Sequence, residues 1–117
     1  MFKVKKFILM SVIFLGVSAF GISAYAYSGA SLFSSEGCIA CHTINGEGGS
    51  VGPDLSHVGS KRSLSWIKTQ ITNPSAHFAD GSSVTVNGKS YMAIMPGHKH
   101  MEASDLNALA KYLESLK

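Results

Sequence analysis

Five consecutive residues, Cys38-Ile39-Ala40-Cys41-His42, carry the most specific chemistry in the chain. Two thiols three positions apart can each add to one vinyl group of a porphyrin, and an imidazole beside the second thiol is then set under the iron as a nitrogen ligand. The pattern reads as a site for one covalently attached haem c, with Cys38 and Cys41 holding the porphyrin and His42 bound to the iron. Both cysteines of the chain are used.

Other chemistries use the same residue types. A thioredoxin-like redox couple wants a βαβ setting, and no run of four or more strand-forming residues precedes Cys38. A structural zinc ion would need a fourth donor beside Cys38, Cys41 and His42, and His57, His77, His98 and His100 are the imidazoles that remain for it. A plain disulfide across so short a loop would be strained.

The chain opens with Lys3, Lys5 and Lys6, an apolar run from Phe7 to Ile22, and the small-x-small triplet Ala24-Tyr25-Ala26. Residues 1–26 therefore read as a secretory signal cleaved after Ala26, with an uncleaved membrane anchor as the alternative, because the run is about long enough to span a bilayer. Either form puts residues 27–117 outside the cytoplasm, in the periplasm or on the outer face of the membrane, where haem of this kind is attached. Three of the ten Lys and Arg residues lie in that leader. The remainder equals the seven Asp and Glu, so a formal charge of +3 becomes a neutral domain, and no basic stripe points to nucleic acid. A domain this small has a marginal core, which a large apolar cofactor would supplement.

Along residues 27–117 the pattern is mainly helical. Ser28 to Glu36 reads as a short helix ended by Gly37. Residues 45–52 are too rich in glycine for helix or strand and read as a loop, and their glycines match neither a dinucleotide fingerprint nor a P-loop. Ser63 caps a helix over 64–72 that Asn73-Pro74 stops. Asn87-Gly88, between Val84-Thr85-Val86 and Lys89-Ser90-Tyr91, signals a hairpin. Ser104 is the expected cap of a last helix to Leu116, with Leu106, Leu109, Ala110, Leu113 and Leu116 on one face. A segment with Met92, Met95, His98, His100 and Met101 holds the candidates for a second iron ligand.

From Leu32 to Leu116 the chain resembles the small bacterial monohaem cytochromes c of class I. The resemblance rests on Leu32-Phe33 ahead of Gly37-Cys38-Ile39-Ala40-Cys41-His42, on Gly52-Pro53-Asp54-Leu55, on Met95-Pro96, and on a final helix with Leu109 and Tyr112-Leu113. It implies an all-α, orthogonal arrangement of helices around one covalent haem, with the hairpin near residues 84–91 as an addition. It also implies that Met95 is the second iron ligand, that the Pro53 carbonyl accepts a hydrogen bond from His42, and that Leu55 lies against the porphyrin. Arg62 and Trp66 are candidates for reaching a haem propionate.

With His42 and Met95 on the iron there is no open coordination position, so the resemblance implies a one-electron carrier rather than an enzyme. Its partners would be other redox proteins, either membrane respiratory complexes or exported oxidoreductases. Direct membrane contact would require the leader to be retained. Two other roles use the same residues: a haem-bearing subunit of a membrane reductase or oxidase, and a gas sensor in which Met95 is displaced.

Overall fold

The computed structural model describes residues 27–117, so residues 1–26, expected to be a signal or an anchor, lie outside the described residues. Helix α1, Gly29–Ser35, starts where the Ser28 side chain accepts from the Ser31 backbone N–H. It buries Leu32 and Phe33 on one side, and Gly37 follows with φ 80° in the left-handed region. A 3₁₀ turn, Cys38–Ala40, comes next.

Helix α2, Leu64–Thr72, is capped by Ser63, whose side chain accepts from the Trp66 N–H, and it ends at Asn73 before Pro74. Helix α3, Ala103–Glu114, begins without the expected cap: Glu102 is the N-cap residue and Ser104 lies inside the first turn. The helix also stops two residues before Leu116, although Leu116 still packs against the core. Asp105 in the first turn and Lys111 in the last both suit the helix dipole.

The core is where these three helices meet. Leu32 and Phe33 from α1, Ile67 and Ile71 from α2, and Leu109, Ala110 and Leu113 from α3 are buried together, with Ile44 beneath them. Contact between α1 and α3 is close enough to require a glycine. A Cβ on Gly29 would run into the Tyr112 Cβ and lie 2.5 Å from the Ala108 carbonyl oxygen, which is backbone and cannot turn aside.

The fold is helical but not purely α. Strands β3, Ser83–Val86, and β4, Lys89–Met92, form an antiparallel hairpin with Val86 opposite Lys89. Asn87 and Gly88 have φ of 51° and 79°, the positive pair that a type I′ turn demands. A second, smaller ribbon corrects the reading of residues 45–52 as plain loop: β1, Thr43–Ile44, pairs with β2, Glu47–Gly48, around Asn45-Gly46, whose φ values are 50° and 83°. The same dipeptide makes the same turn, and the glycines that follow hid it. Among the described residues no helix is long and apolar enough to cross a membrane.

Candidate functional site

The 3₁₀ turn sets the geometry of the thiols. The Cys38 carbonyl accepts from the Cys41 N–H at 3.1 Å and from the His42 N–H at 2.9 Å, so the three side chains leave one tight bend. Cys38 and Cys41 are free thiols, half-buried, and both line the same cavity as His42. Burial pushes the Cys38 thiol up from its ordinary pKa, with the Glu36 and Cys41 charges adding to the effect, so it is held protonated.

His42 is fixed by its surroundings rather than by its own rotamer. Its Nδ1 lies 2.7 Å from the Pro53 carbonyl oxygen, and because a carbonyl only accepts, Nδ1 carries the proton and Nε2 is left bare. Burial lowers the His42 pKa against the opposing pull of Pro53, which keeps the ring neutral, as metal ligation requires. The backbone reaches Pro53 along a tied path: Gly52 N–H donates to the Cys41 carbonyl at 2.7 Å and Leu55 N–H to that of Thr43 at 2.8 Å.

Gly52 passes directly against the imidazole. A Cβ there would sit 2.6 Å from His42 Cε1 and 2.9 Å from Nδ1, too near for any real side chain. Gly52→Ala is therefore expected to displace the ring and cost about 1–3 kcal/mol of stability. Thermal unfolding of the haem-loaded protein checks it, and an unchanged midpoint would mean that the ring or the loop yields freely.

The cavity has a volume of about 820 Å³ and mainly apolar walls. Leu55, Val58, Trp66, Ile67 and Met95 line it together with the two cysteines, His42 and Pro53, so α2, the Gly52–Leu55 segment and the residues after β4 each supply a wall. Met95 is held from both sides. Ala93 N–H donates to the Ser82 carbonyl at 2.8 Å, and His98 N–H donates to the Ile71 carbonyl at 2.8 Å.

Of the other candidates for the second ligand, Met92 and His98 also line the cavity. Met92 is 63% exposed, and Met101 packs against the helical core. His98 Nε2 donates to the Glu36 carbonyl at 3.2 Å, while its Nδ1 is buried without a partner; His100 is exposed. Arg62 and Trp66 meet each other, with the Arg62 Cζ over the indole at 4.2 Å. Two residues have a place here that the sequence did not suggest: Gln70, which lines the cavity with its Nε2 3.4 Å from the Met95 Sδ, and behind it His77, considered above only as a zinc donor, whose Nδ1 lies 2.9 Å from the Gln70 Oε1.

Zinc finds no home in this arrangement, since among the described residues no three His, Cys, Asp or Glu side chains converge on one point. A haem fits the same residues. Two free thiols and a bare imidazole nitrogen face one apolar cavity, and the glycine at position 52 leaves the imidazole room to stand upright. The cytochrome c family profile matches residues 26–117.

This chain belongs to the cytochrome c family. It carries one Cys-x-x-Cys-His and hence one haem c, with its iron, on Cys38 and Cys41, as in a small monohaem cytochrome of class I. Among curated proteins this cytochrome is similar to cytochrome c oxidase subunit 2 of Alkalihalophilus pseudofirmus, 29% identical over 93 residues that cover 79% of the chain and 26% of that subunit. It is also similar to lupanine 17-hydroxylase [cytochrome c] of a Pseudomonas species, 34% identical over 92 residues that cover 78% of the chain and 11% of the hydroxylase. The chain thus spans about a quarter or less of the length of these relatives. No solved structure matches it.

Proposed function

We propose that this cytochrome is an exported one-electron carrier, without enzymatic activity of its own, whose iron is held between His42 and Met95. The observation that carries the reading is the placement of Met95 on the cavity wall in a segment tied down at Ala93 and at His98. The haem supplies an iron that alternates between Fe(III) and Fe(II). The residues of the chain do the rest. Pro53 fixes the His42 ring and raises its basicity, Leu55 and Ile67 exclude water, and Met95 offers a thioether that favours the reduced state. Partners would be redox proteins that reach the porphyrin edge.

Carbon monoxide tests the closed sixth position. Reduced protein at neutral pH is expected to show no shift of the Soret band under the gas, because the backbone that carries Met95 is tied at Ala93 and at His98 and keeps the thioether at the cavity. Rapid, complete binding would sink the carrier reading and bring forward a gas sensor.

A second reading is favoured by the similarity to a subunit of cytochrome c oxidase: the same electron transfer performed as a resident haem domain of a membrane oxidase or reductase. The two readings part at the N-terminus. A free carrier should be recovered in the periplasmic fraction with Tyr27 as its first residue, whereas full-length chain in the membrane fraction would support the resident domain.

A further inference from the structure

The side chains behind Met95 form a connected series. Gln70 stands on α2 one turn after Trp66, and its Nε2 lies 3.4 Å from the Met95 Sδ. Its Oε1 lies 2.9 Å from Nδ1 of His77, which follows the 3₁₀ turn Pro74–Ala76. The His77 ring lies flat on the Trp66 indole, with centroids 4.2 Å apart and planes within 3°, and Phe78 meets both rings edge-on. Arg62 lies over the same indole.

We propose that Gln70 and His77 form a two-step hydrogen-bond relay that orients the Met95 sulfur and raises the reduction potential of the iron. The proposal rests on the reading of Met95 as an iron ligand.

The chemistry of the groups fixes the direction of the relay. A thioether sulfur accepts and cannot donate, so the Gln70 amide must turn its NH₂ toward Met95. Its carbonyl oxygen then faces His77 and demands a proton on Nδ1. In the reverse orientation the amide oxygen would confront the sulfur lone pairs. The sulfur thereby sets the orientation of the amide, His77 in its Nδ1–H tautomer anchors the far end of it, and Trp66 holds His77 in place.

Two consequences follow for the sulfur. A methionine side chain is flexible, with three rotatable bonds, and a single donor at Sδ restricts which of its two lone pairs remains for the cavity. The positive end of the amide also sits beside the sulfur, where it withdraws density and disfavours the extra positive charge of oxidised iron. Both effects favour the reduced state. Gln70 and His77 are positioning residues, since neither is argued to touch the iron.

The test uses haem-loaded protein and three variants: Gln70→Leu, His77→Phe and the double change. Gln70→Leu keeps the bulk and removes the donor. His77→Phe keeps a flat ring over Trp66 and removes both ring nitrogens, and with them the bond to Gln70. Potentiometry of Gln70→Leu should show a several-fold shift toward the oxidised form, where tenfold corresponds to about 59 mV for one electron. The far-red sulfur-to-iron band should persist but move.

His77→Phe should show part of the same fall, and the double variant no more than Gln70→Leu alone, because the two side chains act through one contact. Fully additive shifts, or a His77→Phe protein at the wild-type potential, would overturn the relay. So would an unchanged potential in Gln70→Leu. Absence of the far-red band from the wild type is a different failure: it removes Met95 as ligand and the relay with it.

Discussion

Met95→Ala is expected to abolish the weak far-red band of sulfur-to-iron charge transfer in the oxidised protein and to lower its potential by about 100 mV or more, within the roughly 0.8 V that axial ligands govern. The direction follows from the softness of the thioether, which favours Fe(II). Replacing it opens a position to water or to an outside ligand, so carbon monoxide should then shift the Soret band at once. The two other methionines nearby serve as controls. Met92 is 63% exposed and Met92→Ala should leave band and stability nearly intact, whereas Met101 packs against the helical core and Met101→Ala should cost about 1–2 kcal/mol while leaving the band in place. Survival of the band in Met95→Ala would overturn the assignment and move it to Met92 or Met101. His98 and His100 come forward if the wild type itself lacks the band.

What could be read from the sequence was what is local in it. Cys38, Cys41 and His42 are contiguous, so the attachment chemistry needs no fold to be visible, and the family match agrees with it. Ser63 and Asn73-Pro74 bracket α2 by short-range capping and by proline sterics, both of which act within a turn. The last helix was harder. Ser104 has the right side chain for a cap, but the helix already begins at Ala103, one residue earlier, with Glu102 as N-cap residue and no side-chain cap hydrogen bond.

The turn at Asn45-Gly46 carries the same signal as that at Asn87-Gly88, but β-branched residues flank it on one side only, Thr43-Ile44, and glycines crowd the other. Only two residues on each side pair, and Glu47 and Gly48 have little strand preference of their own. What holds the ribbon is its surroundings. Gly49 N–H donates to the Ile39 carbonyl at 2.9 Å, and the Thr43 hydroxyl donates to the Gly49 carbonyl at 2.8 Å. Contacts between distant segments are illegible for the same reason. Gln70 falls at a helical spacing with Trp66, Ile67 and Ile71 and looks like part of that stripe, while its partner Met95 lies 25 residues further on.

Loss of both thioether bonds should have the second large effect, on the fold itself. The buried hydrophobic core of the described domain is only eight side chains, and beside them lies a cavity of about 820 Å³ walled by Leu55, Val58, Trp66 and Met95. Without a group inside it those walls face water or collapse on one another, and a core so small cannot hold three helices alone. Cys38→Ser/Cys41→Ser, made alongside the wild type with the haem-attachment machinery, is expected to yield a chain that releases its haem into acid acetone and whose denatured mass is that of the polypeptide. The wild type should keep its haem through the same extraction. In the haem-free double variant the cooperative thermal transition should be lost, with helical circular dichroism well below that of the wild type. If that variant without haem still unfolds cooperatively near the wild-type temperature, the helical core of Leu32, Phe33, Ile67, Ile71, Leu109 and Leu113 suffices by itself, and the dependence of this fold on its cofactor is disproved.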